Sequence, residues 1–213
     1  MCTVKAPWIM QLVVCLMLVA LAQLAQASIL SNGQTAPPDL LTPSGTELAT
    51  NSGVITTPTF STLFTASVFS DPTNVFCTNC LDFVYRFGNK GPDVNERFSA
   101  SRFGGFMVDV GYNPSTVGQI PTTVDRSTDG NVIGFNFVGN DTVTTGEHTT
   151  VLVIETNATT FEHGLLSAQD GTAGSGMAFQ PFVIPEPSSL ALLGGGTLAL
   201  GSFLRRFILG NRL

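Results

Sequence analysis

Apolar and polar residues alternate with a period of two through the middle of the chain. In LDFVYRF, Leu81, Phe83, Tyr85 and Phe87 fall on one face, with Asp82 and Arg86 on the other. Phe106, Val108, Val110 and Tyr112 alternate in the same way with Met107, Asp109 and Gly111, and Ile133, Phe135 and Phe137 with Gly134 and Asn136. This spacing predicts strands with one buried face. TTVLVIET, residues 149–156, is apolar on both faces, as expected of a central strand covered twice. FSTLFTASVF, starting at Phe60, adds another strand.

Turn-forming clusters separate these runs: GNKGPD from Gly88, DRSTDGN from Asp125 and TTGEH from Thr144. They supply the positive-φ and self-bonding residues that tight connections require. No amphipathic helical period appears between Asn32 and Pro181. The pattern predicts an all-β chain with a single antiparallel β-sandwich over residues 54–182. Residues 28–53 hold Pro37, Pro38 and Pro43 among small polar residues, and read as a linker or a loosely attached N-terminal segment.

The two ends follow a different pattern. Residues 1–27 combine Lys5, an apolar run over 9–22 and the small residues Ala25 and Ala27 before Ser28. That order is a secretory signal peptide, cut by signal peptidase before Ser28; an uncleaved anchor is the alternative. At the other end, residues 190–204 carry no charge and would reach about 22 Å as a helix. That is short of a bilayer core of roughly 30 Å, but Phe207, Ile208 and Leu209 extend it if Arg205 and Arg206 snorkel. Those arginines, with Arg212, favour a cytoplasmic end. The expected whole is a cleavable signal peptide, a β-sandwich and one C-terminal transmembrane helix.

Charge and cysteine usage narrow the function classes. The chain carries a net charge of −6. Arg86, Lys90, Arg97, Arg102 and Arg126 are the only positive residues between the signal and the tail. Nucleic-acid binding needs a basic footprint, so it is excluded. Cys77 and Cys80, in CTNC, enter an oxidising compartment and read first as a structural disulfide. Free thiols, a redox pair and half of a zinc site are the alternatives.

Candidate catalytic residues are sparse. Ser175 in TAGSGMA lacks the preceding glycine of a nucleophile elbow and reads as part of a glycine-rich loop. His148 and His163 each follow a glutamate and read as surface or rim residues. Scattered carboxylates show no glycosidase pairing that spacing alone can establish. Asp125, Asp129 and Asn131 offer oxygen ligands for calcium, but Asp-Gly-Asn is equally an ordinary hairpin turn. Tyr85 and Tyr112 fall in phase with core phenylalanines, and the only Trp lies in the signal, which weakens a sugar-stacking site. The triplets at Asn140 and Asn157 match the N-glycosylation pattern and are read as unmodified. The expectation is therefore a non-enzyme without cofactor or metal.

Pro185-Glu186-Pro187, followed by Ser188-Ser189-Leu190, the apolar run and the paired Arg205 and Arg206, resembles the PEP-CTERM sorting signal of exported bacterial proteins. On that resemblance residues 183–213 are the sorting tail: Pro185, Glu186 and Pro187 are the motif, and Arg205 and Arg206 the membrane stop signal. The partners it implies are an exosortase, a membrane transpeptidase, and the membrane itself, held transiently through the tail. The destination implied is the cell surface or the extracellular matrix of a biofilm. The segment FILGNRL after the arginines is longer than the family's usual basic stub. Residues 81–182 are similar to uncharacterised exported domains that precede this tail, from which no catalytic residue carries over. The alternative function is a carbohydrate- or exopolysaccharide-binding module.

Overall fold

The computed structural model describes residues 28–183. The expected signal segment, with Ala25 and Ala27, and the tail from residue 184, with Pro185, Glu186, Pro187, Arg205 and Arg206, lie outside the described residues. Twelve strands follow in order: β1 (Thr35–Ala36), β2 (Asp39–Leu40), β3 (Thr46–Thr56), β4 (Phe60–Asp71), β5 (Cys80–Pro92) and β6 (Arg97–Ala100). The second half continues with β7 (Val108–Asn113), β8 (Thr123–Arg126), β9 (Ile133–Asn136), β10 (Val151–Thr156), β11 (Phe161–Asp170) and β12 (Thr172–Pro181). Among the described residues no helix is long and apolar enough to cross a membrane.

The strands form two six-stranded sheets, ordered β1-β8-β9-β6-β11-β12 and β2-β7-β10-β5-β4-β3. One hydrophobic core draws on both. Phe60, Phe64, Phe83, Phe87, Val110 and Ile154 come from the second sheet; Phe98, Val124, Phe135, Leu166 and Ala168 come from the first. The Phe87 and Phe98 rings stack between the sheets with centroids 4.0 Å apart, and Phe137 meets Phe98 edge-on at 5.6 Å. Tyr85 is buried among them, and its hydroxyl donates across the layers to the Phe179 carbonyl at 3.1 Å. A buried phenol needs such a partner. The twofold-covered β10 sits inside its sheet between β7 and β5, as its sequence predicts.

Three expectations need correction, the third at the β12 edge. Residues 28–53 are not a linker: they supply β1, β2 and most of β3, and β3 pairs along its length with β4. The apolar pattern there is weak because β3 is an edge strand whose side chains are mostly exposed or half-buried. The pairing is also not wholly antiparallel. β1 joins the first sheet, Pro37 and Pro38 carry the chain onward, and β2 then runs parallel to β7 in the second sheet. Consecutive prolines lack the N–H groups that would continue a ladder. At this crossing Gly111 faces the Asp39 backbone so closely that a Cβ would overlap it.

At the opposite edge β12 packs against β3 and β4. A Cβ on Gly174 would meet Ile55 Cγ2 at 2.6 Å, and one on Gly176 would meet Phe64 Cε1 at 2.5 Å. The Asn51 amide bonds across this edge to the Met177 carbonyl at 2.6 Å. TAGSGMA is therefore a strand, with Ser175 opposite Ser167, where the sequence predicts a loop. Its glycines serve close approach, not flexibility.

Arg126 is buried without a carboxylate partner. It donates to the carbonyls of Leu30 at 3.0 Å, Phe103 at 3.0 Å, Phe106 at 2.8 Å and Gly130 at 3.1 Å. One guanidinium thus ties the N-terminal segment, the loop before β7 and the β8–β9 hairpin together. At the chain start Ser28 donates through both its backbone N–H, at 3.3 Å, and its hydroxyl, at 2.5 Å, to Asp39.

Candidate functional site

The outward face of the second sheet carries a row of carboxylates. Because Phe83, Val108, Val110 and Ile154 point to the core, period-two alternation sends Asp82, Asp109 and Glu155 to the other side. In register, Glu155 lies opposite Asp82 of β5 and opposite Asp109 of β7. Asp71 ends β4, the next strand beyond Asp82. Like charges directly opposite one another destabilise a sheet, and a polar position on an outer face ordinarily meets water. Here all four are buried: Asp82 is 0% exposed, Asp71 and Asp109 1%, and Glu155 8%.

The cover is the segment 72–79, between β4 and β5. Asp71 fixes its start, accepting from Ser44 N at 3.1 Å, Ser44 Oγ at 2.6 Å, Thr73 N at 2.6 Å and Thr73 Oγ1 at 2.7 Å. The Asn74 amide donates to Asp82 Oδ1 at 2.8 Å, while its own oxygen accepts from Phe76 N at 2.8 Å. The Val75 N–H donates to Glu155. Asn79, at φ +62°, turns the chain back into β5, and a Cys77–Cys80 disulfide closes the end of the segment with Cα atoms 5.3 Å apart.

The row is not fully satisfied. Asp82 Oδ2 and both carboxylate oxygens of Asp109 are buried without a well-aligned donor; Asp82 abuts the Asp71 carboxyl, and Asp109 the Asp39 carboxyl and the Val110 N–H. Burial, reinforced by the neighbouring Asp71 carboxyl, pushes Asp82 up to about 8. Burial, reinforced by Asp39, does the same to Asp109, also to about 8. Glu155 is raised by burial as well. Asp71 goes the other way: burial acts to raise it, but the Ser44 and Thr73 donors together outweigh that and hold it at about 2. The ion pairs among the described residues, Arg97–Asp125 and Arg102–Glu162, leave these four acids without a basic partner. One oxygen each from Asp71, Asp82 and Glu155 lies within 4.8 Å of the others, so these three are able to hold a metal ion together.

The residues singled out from sequence sit elsewhere. Asp125 is engaged by Arg97 and by the Asn136 amide, at 2.6 Å, on the first sheet. Asp129 accepts from Ser127 Oγ at 2.5 Å and Asn131 Nδ2 at 2.7 Å within the β8–β9 turn, where Gly130 has φ +75°. The hairpin reading therefore describes this stretch, and its acids do not converge on a common site. The His148 ring lies 3.2 Å from the Arg86 guanidinium, and His163 stacks on Phe179. Tyr112 is half-buried against the core, and Asn157 accepts from Met107 N at 2.9 Å.

The carboxylate row escaped sequence reading because its members, Asp71, Asp82, Asp109 and Glu155, are 11 to 84 positions apart. A signal was present: LDFV, VDVG and VIET each place one acid inside a strand that is otherwise apolar.

The described body is thus an all-β, two-sheet domain with a small disulfide-closed cover. Beyond it, residues 183–206 match the family model of the PEP-CTERM protein-sorting motif. The chain thus carries a PEP-CTERM sorting motif over those residues, which supports export and exosortase-type sorting. No curated protein and no solved structure matches it.

Proposed function

We propose that this is a non-enzymatic protein of the cell surface or extracellular matrix, a β-sandwich delivered by the secretory route and sorted through its tail. Signal peptidase removes residues 1–27, leaving Ser28 as the first residue. An exosortase-type transpeptidase then grips Pro185-Glu186-Pro187. The two prolines hold Ile184 and Glu186 extended, and an extended strip suits a processing cleft. Residues 190–204 span the membrane during sorting, with Arg205 and Arg206 as the stop signal. The observation that carries this reading is the motif match over residues 183–206. The body's role as a passenger and not a catalyst is supported by where its reactive side chains lie. His148 faces Arg86, Ser175 lies opposite Ser167 in a strand pair, and the perturbed acids are under a cover.

Intact mass spectrometry of the protein recovered from its own host tests the proposal. A chain starting at Ser28 and ending near Pro185 is the expected result. A chain still ending at Leu213 would make the tail a plain anchor and overturn the sorting role.

A further inference from the structure

We propose that Asp71, Asp82 and Glu155 form a calcium site beneath the segment 72–79. Three carboxylates converge from three adjacent strands, with an oxygen of each within 4.8 Å of the others. Calcium binds oxygen at roughly 2.3–2.6 Å, so two oxygens on one ion stand up to about 5 Å apart, which this spacing satisfies. The donors are all hard oxygens; Cys77 and Cys80 are tied up in their disulfide and neither histidine joins the cluster.

The independent observation is the orphaned oxygen. Asp82 is 0% exposed, its Oδ1 is held by Asn74, and its Oδ2 has no partner. A buried carboxylate oxygen without a donor is costly, and no Lys or Arg among the described residues comes within ion-pair distance. A divalent cation supplies the missing partner for that oxygen. Asp109 stands next in the row, opposite Glu155.

Binding here would do structural work. Asp71 starts the cover, and Asn74 and Val75 within it bond to Asp82 and Glu155. An ion on those acids fastens the cover to three strands at once. The site does not depend on the fate of the tail.

The test is thermal unfolding of the full-length chain, purified in mild detergent and stripped with chelator, as calcium is added back. The midpoint is expected to climb over about 0.1–10 mM calcium, the range of extracellular modules, and to respond much less to magnesium. Asp82→Asn keeps an acceptor for Asn74, and Glu155→Gln keeps one for Val75, so each removes charge while preserving its cover contact. Both are expected to weaken calcium affinity at least tenfold, whereas Asp129→Asn in the distant turn leaves it unchanged. No calcium response in the unaltered chain overturns the proposal, even if one variant fails to fold. An undiminished response in either folded variant, or an equal response to magnesium, also overturns it.

Discussion

Replacing Arg126 with methionine isolates the contribution of one buried cation. The side chain keeps a similar length and apolar stem but loses every donor. Four backbone carbonyls, those of Leu30, Phe103, Phe106 and Gly130, would then be left without it. At about 1 kcal/mol for each of the four hydrogen bonds lost, the loss is about 4 kcal/mol. Against that stands the cost of burying a guanidinium that has no carboxylate partner, which methionine removes. The desolvation also shows in the arginine itself, whose pKa is lowered by burial. The expected net loss is about 3 kcal/mol, or a fall of about 6–12 °C in Tm for a domain of this size. Arg126→Lys retains charge but presents only one ammonium, so it is expected to fall between the two. Urea titration followed by circular dichroism gives the stability, and hydrogen exchange at Leu30 and Phe106 shows whether the loops loosen first. A methionine variant within about 0.5 kcal/mol of the unaltered chain would refute the reasoning, because the four bonds would then be offset by the buried charge.

Other outcomes follow from the carboxylate row, the disulfide and the core. In chelator, Asp82 and Asp109 keep their protons up to about pH 8 when folded but release them near 3.8 when unfolded, so their contribution is fullest below pH 4 and declines as pH rises to 8. The slope is about 1.4 kcal/mol per pH unit per group, and a Tm that stays flat or rises between pH 5 and 8 would contradict it. Asp71 acts in the opposite sense: held at about 2 against an ordinary 3.8, its stabilisation is lost as pH falls from about 4 towards 2, so acid melts should show a second decline there. Serine at both Cys77 and Cys80 opens a loop with a sequence separation of 3 and is expected to cost about 2 kcal/mol on the chain-entropy model, measured by urea titration. Phe98→Ala removes a fully buried ring from between the sheets and is expected to cost about 3–5 kcal/mol in the same assay.

The parts legible in the sequence were those governed by local alternation. LDFVYRF and TTVLVIET point their phenylalanines and leucines inward as period two requires, and LVI within VLVIET is covered on both sides as its apolar run requires. Edges were harder to read. β3 repeats polar and small residues because one side faces water, and β12 uses glycine to approach β3, so both resemble loops. The short β1 and β2 owe their places to pairing with β8 and β7, far along the chain, which no local pattern records. The site was hidden for a related reason: alternation gives each acid a face but not its neighbours, and register alone brings Asp82, Glu155 and Asp109 side by side. That the segment 72–79 folds over them is a tertiary event, signalled only by Asn74 and the CTNC pair.

The bond between Ser28 and Asp39 would give the proposed removal of residues 1–27 an energetic consequence inside the domain. In the uncut chain the Ser28 nitrogen reaches Asp39 as a neutral amide. Cleavage before Ser28 would turn that atom into an ammonium at the same place, making a neutral contact charge-assisted. Asp39 in turn neighbours Asp109, so such a terminus would bring a positive charge to one end of the acidic row, while the Asp71, Asp82 and Glu155 cluster lies towards the other. Maturation would then act as a built-in counter-ion, delivered only after the chain has left the cytoplasm.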